Sequence, residues 1–183
     1  MLIHTQRLRL LTCEEPHLSA IATDPASLGE LLGVAIPRHW PERRDAYRHA
    51  RDLVRKNPLL PSSGWWLYLF VDPVLKVFVG GGGFKSAPDE DGMVEIGCEI
   101  APVYRRQGYA TEAMFGLIRY AFSRSGVSVV QAHSLPRKCP QSQLLRALGM
   151  KKVGEATDAV AGKVWAWRLT QDAYLKEALR ARA

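Results

Sequence analysis

The stretch that decides the fold covers residues 94–113 and reads VEIGCEIAPVYRRQGYATEA. Polar and apolar side chains alternate over its first part, and that alternation predicts a β-strand. Further on, apolar residues recur at helical spacing, at Ala110, Ala113, Met114, Leu117, Ile118, Ala121 and Phe122. The sequence therefore predicts a strand that passes through a short turn into a helix.

The junction between this strand and this helix has the features of an anion site. The first amides of a helix have no internal partners, and the helix dipole adds partial positive charge there. Gly108 lets an anion approach the backbone, and Ala110 keeps the next contact small. Arg105 and Arg106 can add charge-assisted hydrogen bonds. The stretch therefore fits a diphosphate held largely by main-chain N–H groups.

Two common phosphate motifs do not account for this junction. No Gly-Lys-Ser/Thr follows Gly108, so the stretch is not a P-loop, and Gly-x-Gly-x-x-Gly is absent from it. The glycine run at residues 80–83 leads into Phe84 and Lys85 and a turn, not into a helix. We interpret that run as a strand bulge or a strand end.

The patterns on either side of residues 94–113 predict the other elements of the fold. Hydrophobic periodicity and the Gly and Pro positions separate strands from helices. The predicted strands are residues 7–15, 66–71, 75–79, 93–101, 127–135, 150–156 and 163–169; the predicted helices lie within residues 14–33 and at 41–56, 110–122, 141–148 and 171–183. This order predicts an α/β (or α+β) fold, with a mixed sheet and helices on its faces.

Length and composition favour one ordinary globular domain over residues 1–183. The chain has 183 residues, of which 47% are hydrophobic and 23% charged. Its cysteines, Cys13, Cys98 and Cys139, are too scattered for a disulfide framework, and neither they nor the five histidines have metal-ligand spacing. The start, MLIHTQRLRLL, lacks a signal-peptide core and no run reaches membrane-span length, so we expect a soluble, cytoplasmic protein.

The chain is basic, with a formal net charge of +7 and a pI of about 9.5. This charge favours an anionic partner: nucleic acid, ribosome, an acidic peptide or a phosphorylated cofactor. Basic residues concentrate at 38–56 and in the C-terminal tail, where they also fit solvated helix faces. No DNA- or RNA-reading motif is present, so we do not expect a nucleic-acid partner.

Together, residues 94–113, the later stretch QAHSLP and the stretch LLRALGM resemble the GNAT superfamily of acyl-CoA-dependent N-acyltransferases. They are most similar to its RimJ/RimL-like branch of ribosomal-protein alanine N-acetyltransferases. The family's Arg/Gln-x-x-Gly-x-Gly/Ala hallmark falls on Arg105, Gly108 and Ala110, and the element order agrees over residues 1–170. The resemblance implies a mostly antiparallel central sheet of about six to seven strands flanked by helices, with splayed central strands that hold the cofactor.

The resemblance implies acetyl-CoA as a co-substrate. Pantetheine would lie between the splayed strands and pair with the first of them, and the diphosphate would lie on the amides of residues 106–111. The cofactor-binding residues that it implies are Ile100, Ala101, Val103, Arg105, Arg106, Gln107, Gly108, Tyr109, Ala110, Thr111, Cys139 and Ser142.

The activity that the resemblance implies is direct acetyl transfer to a primary amine in a ternary complex. The acceptor is a protein N-terminus or a small-molecule amine, and a homodimer is compatible with the family. The alternative is a non-catalytic acyl-CoA-binding sensor or partner module, which would keep the CoA site without a working base.

The first catalytic candidate is Glu95. An amine attacks only when neutral, so a base or a water relay is needed to remove its proton. Strand alternation places Glu95, Gly97 and Glu99 on one face. Glu95 matches the catalytic glutamate of several family members and Gly97 leaves room for a substrate; Glu99 is the second choice. Either side chain also fits a solvated strand carboxylate.

The second catalytic candidate, Ser142, lies where the family pattern breaks. Relatives carry Asn and then Ser or Ala after the fifth core strand, whereas this chain reads PRKCPQSQ at residues 136–143. Lys138 or Cys139 takes the Asn place, and Leu145 takes the place of a tyrosine acid used by some relatives. Ser142 is therefore a candidate for protonating the CoA thiolate. His133 lies on the fifth strand near the expected cleft and also fits a satisfied core histidine.

Overall fold

The structure is a computed structural model that describes residues 1–180. Eight strands and six α-helices lie within these residues. In chain order they are β1 Leu2–His4, β2 Arg9–Thr12, α1 Glu15–Thr23, α2 Pro25–Leu32, α3 Arg44–Lys56, β3 Leu67–Asp72, β4 Val77–Phe84, β5 Met93–Ile100, α4 Tyr109–Phe122, β6 Val129–Ser134, α5 Pro140–Ala147, β7 Lys151–Asp158, β8 Gly162–Thr170 and α6 Gln171–Arg180.

All eight strands form one sheet in the order β1-β2-β3-β4-β5-β6-β8-β7. Every neighbouring pair is antiparallel except β5 and β6, which run parallel and are joined through α4. The predicted mixed, mostly antiparallel sheet flanked by helices is confirmed. The extra strand is β1, whose three residues are too few for an alternation to reveal; its pairing with β2 defines it.

The helices cover both faces of the sheet and enclose a core on each. On one face α4 packs on β5 through apolar side chains such as Val94, Ile96 and Leu117. On the other face α1, α2 and α3 cover the β2–β4 side, where Leu18, Leu28, Val54, Leu69 and Phe78 are buried. Trp40 fixes the approach to α3, since its ring lies 4.2 Å from Phe78 and 5.2 Å from Tyr47.

The glycine run at residues 80–83 lies inside β4 and is paired on both sides. A register shift sets Gly80 opposite Phe70 and Phe78 opposite Val71, so the bulge falls at Val79. A bulge is therefore present directly before Gly80. The strand does not end in the glycine run, because β4 continues to Phe84. A Cβ at Gly81 would lie 2.7 Å from the Tyr47 hydroxyl, so the absent side chain lets α3 approach the sheet.

The helix predicted over residues 41–56 begins three residues later, at Arg44. Pro41 therefore precedes the helix and does not start it. The predicted C-terminal helix is present as α6, and its last residues, 181–183, lie outside the described part of the chain. Within residues 1–180, no helix combines the length and the apolar character needed to cross a membrane.

We expect Gly82→Ala to lower the free energy of unfolding by about 1–3 kcal/mol, because a side chain there overpacks the sheet. Its Cβ would meet the Gly97 carbonyl oxygen at 2.3 Å and the Cys98 Cα at 2.6 Å. Denaturant unfolding measures the effect. The control is Gly154→Ala, whose Cβ has no neighbour within 4 Å; equal stability of the two variants would contradict the prediction.

Candidate functional site

The two central strands part halfway along their length. The parallel pairing of β5 and β6 runs from Met93 opposite Val129 to Glu95 opposite Gln131. Beyond these residues β5 continues to Ile100 and β6 to Ser134, but in the described structure the two strands no longer pair with each other. The predicted splay is confirmed, and it begins directly after Glu95.

The edge of β5 that faces this gap carries backbone hydrogen-bonding groups. On the opposite edge Lys85 N–H donates to the Glu95 carbonyl and Ala101 N–H to the Val79 carbonyl, both at 2.9 Å. Because an antiparallel ladder alternates the direction of its bonds, the N–H and C=O groups of Cys98 and Ile100 point into the gap. A bound chain with an amide group can pair with them as a missing strand would.

The predicted anion site is an exposed loop at the start of α4, and we call residues 105–108 the phosphate loop. Gly108 precedes the helix with φ 83° and Arg106 has φ 61°, so the chain turns twice through the left-handed region. This turn presents the first amides of α4 to solvent. The Tyr109 ring is buried, and its hydroxyl donates to Asp72 Oδ2 at 3.0 Å. Tyr109 can therefore offer only its amide to an anion.

The side chains of two predicted cofactor-binding residues, Arg105 and Gln107, already have partners inside the chain. Arg105 Nε donates to the Ile100 carbonyl at 2.9 Å, and its Nη2 lies 2.7 Å from Glu42 Oε2. Gln107 Nε2 donates to the Val103 carbonyl at 3.0 Å. These contacts tie the phosphate loop to the end of β5. Val103, Arg106 and Thr111 are exposed as well.

A cleft of about 530 Å³ opens on the face of β5 that carries Glu95, Gly97 and Glu99. Its floor is made of β4 and β5, and the β4 part is mostly glycine. Helix α3 forms one wall, and the end of β6 and the β7–β8 turn form the other. The lining side chains that carry charge or a titratable group are Arg43, Tyr47, His49, Lys85, Glu95, Cys98, Glu99, His133 and Asp158.

Glu95 lies at the centre of a charged cluster in this cleft. Its Oε1 forms an ion pair with Lys85 Nζ at 2.5 Å and accepts a hydrogen bond from His133 Nδ1 at 2.9 Å. The carboxylate and the imidazole are both largely buried, with side chains 19% and 18% exposed. Lys85 Nζ also lies 3.7 Å from Asp158 Oδ2. The pKa of Asp158 is lowered, first by the N–H groups of Ala161 and Val160 and further by Lys85.

Glu99 has a different environment on the same face. Burial raises its pKa, with the Glu42 carboxylate acting in the same direction, while the Glu42 N–H and Arg105 partly oppose the rise. The Glu42 N–H donates to Glu99 Oε1 at 2.8 Å. Nearby, burial raises the pKa of Tyr47 well above its ordinary range, so this phenol stays protonated and can donate a hydrogen bond.

Ser142 and Cys139 are engaged in the start of α5. The Ser142 hydroxyl accepts from Cys139 N–H and donates to the Cys139 carbonyl, both at 3.0 Å. Cys139 Sγ in turn accepts from Ser142 N–H at 3.5 Å, which completes a capping box. The Ser142 side chain is only 5% exposed and Leu145 is in the core. Catalysis by Ser142 stays a prediction, and its hydroxyl would have to leave these bonds.

Comparison with known proteins agrees with this geometry. Residues 7–151 match the family model described as Acetyltransferase (GNAT) domain, so the chain belongs to the GNAT acetyltransferase family and is an enzyme of that class. It is 33% identical to the uncharacterized N-acetyltransferase YjdG of Bacillus subtilis (strain 168) over 156 residues, which are 84% of this chain and 89% of YjdG.

Solved structures share the fold at low sequence identity. RimL, the ribosomal L7/L12 alpha-N-protein acetyltransferase, in complex with coenzyme A, matches with a TM-score of 0.69 and 17% identity over 94% of this chain and 99% of that one. A mutant of the spermidine N-acetyltransferase SpeG from Vibrio cholerae matches with a TM-score of 0.68 and 16% identity over 94% and 98%. The predicted GNAT fold is confirmed.

Sequence reasoning missed part of the cleft. Lys85 appeared only as the residue after a glycine run, and Asp158 and Tyr47 carried no motif. One signal was available for Lys85, since two strands joined by a turn pair antiparallel and can bring its side chain to the Glu95 face. The positions of Asp158 and Tyr47 depend on how a distant hairpin and α3 pack on the sheet.

We expect Glu99→Gln to stabilise the protein more at pH 7 than at pH 4. The pKa of Glu99 is raised in the folded state, so its contribution to stability is full below the unfolded pKa of about 4.3 and is lost as pH rises through the folded pKa. Because Gln cannot ionise, the variant does not lose this contribution to stability as the pH rises. Thermal unfolding at both pH values measures the difference, with Glu30→Gln on the exposed part of α2 as the control. A pH-independent difference would contradict the prediction.

Proposed function

We propose that this protein transfers an acetyl group from acetyl-CoA directly to a primary amine bound in the cleft. The observation that carries the proposal is the position of Glu95, whose carboxylate faces the cleft where β5 leaves β6. A donor held along the gap and an acceptor held in the cleft meet at this point. Proximity of this kind can supply a large part of the rate enhancement.

The donor half of the site fits acetyl-CoA by the groups that it offers. The amides of residues 106–111 and the exposed Arg106 suit a diphosphate, and Gly108 leaves the backbone accessible. The gap between β5 and β6 suits the amide-bearing pantetheine arm, because the N–H groups of Cys98 and Ile100 face it. When bound, acetyl-CoA supplies the activated acetyl thioester. Whichever of these two N–H groups the arm leaves unpaired can donate to the oxyanion that forms on the thioester carbonyl oxygen.

Glu95 is the group that we assign as general base, directly or through a water. His133 donates its Nδ1–H to the carboxylate, which can only accept, and this hydrogen bond fixes the orientation of Glu95. The ion pair of this carboxylate with the Lys85 ammonium at 2.5 Å supports the binding of a cationic amine there. An acceptor ammonium that binds at Glu95 takes over this contact and can pass its proton to the carboxylate.

Direct transfer is favoured over a covalent acetyl-cysteine route. Cys98 is the thiol that lines the cleft, and burial raises its pKa to about 12, with the Glu99 charge adding to the rise. A thiol with this pKa stays protonated near neutral pH and is a poor nucleophile. Cys139 is used as the cap of α5.

The acceptor that we propose is a primary amine, carried either by a protein N-terminus or by a small cationic molecule. Glu95, Glu99 and Asp158 give the cleft carboxylates for an ammonium, and Lys85 and Arg43 offset part of that charge. The two similar folds point to the same pair of classes, since RimL is named for a protein α-amine and SpeG for spermidine. CoA release in the presence of N-terminal peptides and polyamines tests both. CoA binding without turnover of any amine would favour a non-catalytic module.

We expect Glu95→Gln to lower kcat/KM by about 100-fold or more, because general-base catalysis contributes factors of this size. Gln keeps the size and the hydrogen-bond acceptor for His133 but cannot take a proton. The measurement is CoA release with the best acceptor found, together with thermal unfolding to show that the variant is folded. Glu155→Gln on the exposed part of β7 is the matched control. A rate for Glu95→Gln near that of the control would refute the assignment.

A further inference from the structure

A turn near the start of the chain packs against the phosphate loop from outside. Residues 5–8 join β1 to β2, and Thr5 N–H donates to the Leu8 carbonyl at 3.0 Å. Leu8 N–H donates back to Thr5 Oγ1 at 2.9 Å. These two bonds fix the turn and direct the Arg7 side chain at its tip toward the start of α4.

Glu112, in the first turn of α4, accepts hydrogen bonds from this turn. Its Oε1 accepts from Thr5 Oγ1 and from Arg7 N–H, both at 2.6 Å, and its Oε2 accepts from Arg7 Nε at 2.7 Å. Burial alone would raise the pKa of Glu112, but these donors outweigh burial and hold the pKa below its ordinary value. The carboxylate therefore stays ionised and keeps its hold on Arg7 near neutral pH.

The rest of the Arg7 guanidinium reaches the phosphate loop itself. Its Nη1 donates to the Gln107 carbonyl at 3.1 Å. Its Cζ lies 4.3 Å from the centre of the Tyr109 ring, a cation–π contact. The Arg7 guanidinium thus contacts Gln107 and Tyr109, on either side of Gly108, and the Glu112 carboxylate in the first turn of α4.

The phosphate loop needs such an external contact to keep its shape. Residues 105–108 are exposed, so little packing holds them beyond the side-chain bonds of Arg105 and Gln107 on the β5 side. Arg106 has φ 61°, a left-handed conformation that is unfavourable for a residue with a side chain. Without a fixed neighbour the backbone would relax toward other conformations, and the amides that face the anion would lose their common direction.

We propose that Thr5, Arg7 and Glu112 form a clamp that presets the phosphate loop for the diphosphate of acetyl-CoA; this inference rests on the proposed function. Arg7 is a positioning residue in it, since its contacts are to the protein. Because the clamp orders the loop when the chain folds, less conformational entropy is lost when the diphosphate binds. The clamp therefore strengthens the binding of donors that carry a diphosphate and does not change the rate of the transfer step.

Two acetyl donors separate this role from a general structural one. Acetyl-CoA carries the diphosphate, and S-acetylpantetheine keeps the thioester arm without it. We expect Arg7→Ala to raise the KM for acetyl-CoA about tenfold, as the loss of charge-assisted hydrogen bonds does. The KM for S-acetylpantetheine and the kcat with saturating acetyl-CoA should stay within about twofold. An equal rise in KM for both donors would overturn the proposal.

Arg7→Lys tests the planar contacts against charge alone. Lysine keeps the positive charge but cannot bond Glu112 and Gln107 with one rigid group, so we expect it to behave like Arg7→Ala. A wild-type KM for acetyl-CoA in Arg7→Lys would overturn the clamp. The control is Arg9→Ala, an exposed arginine on β2, which should leave the KM unchanged.

Calorimetric titration with CoA distinguishes failure of the clamp from failure of the proposed function. Wild-type protein that does not bind CoA would overturn both. Wild-type protein and Arg7→Ala that bind CoA equally well would overturn the clamp alone. If Arg7→Ala does not fold, Glu112→Gln keeps the side-chain shape and removes the charge, and the same comparison of donors applies to it, with a rise in KM confined to acetyl-CoA as the supporting result.

Discussion

The parting of β5 from β6 after Glu95 is the constraint on which the rest of the site depends. Buried backbone N–H and C=O groups need partners, and a sheet that opens in its middle leaves some of them without a neighbouring strand. Arg105 satisfies the Ile100 carbonyl from its side chain. The remaining groups on this edge of β5 suit an extended ligand with amides of its own, and on this ground we propose the gap as the site for the donor.

The shape of the cleft depends on the glycines of β4, which carry no side chains. The glycines at residues 80–83 remove side chains from the floor, and the Tyr47 hydroxyl of α3 occupies part of that space. Helix α3 can therefore lie close to the sheet and still leave about 530 Å³ beside Glu95. The same glycines allow close backbone contacts between β4 and β5, which hold the floor in place.

Two carboxyl groups of the cleft, those of Glu99 and Asp158, lie in environments that shift their pKa values in opposite directions. Burial raises the pKa of Glu99, whereas backbone N–H groups lower that of Asp158. Glu95 is in contact with one ammonium and one imidazole. Such differences agree with the separate roles that we propose for these carboxyl groups, one in proton transfer and the others in holding the acceptor.

The sequence by itself determined the fold class, the strand–turn–helix of the donor site and the face that Glu95, Gly97 and Glu99 share, because periodicity and helix ends are local properties. It did not reveal β1, which is too short for a pattern, or the start of α3 at Arg44. Only the tertiary structure decided that Lys85 and His133 meet Glu95, that Ser142 belongs to the capping box of α5, and that Arg7 reaches the phosphate loop across 100 residues of chain. These contacts join elements that are distant in sequence, and their positions are set by how the sheet, its helices and its turns pack together.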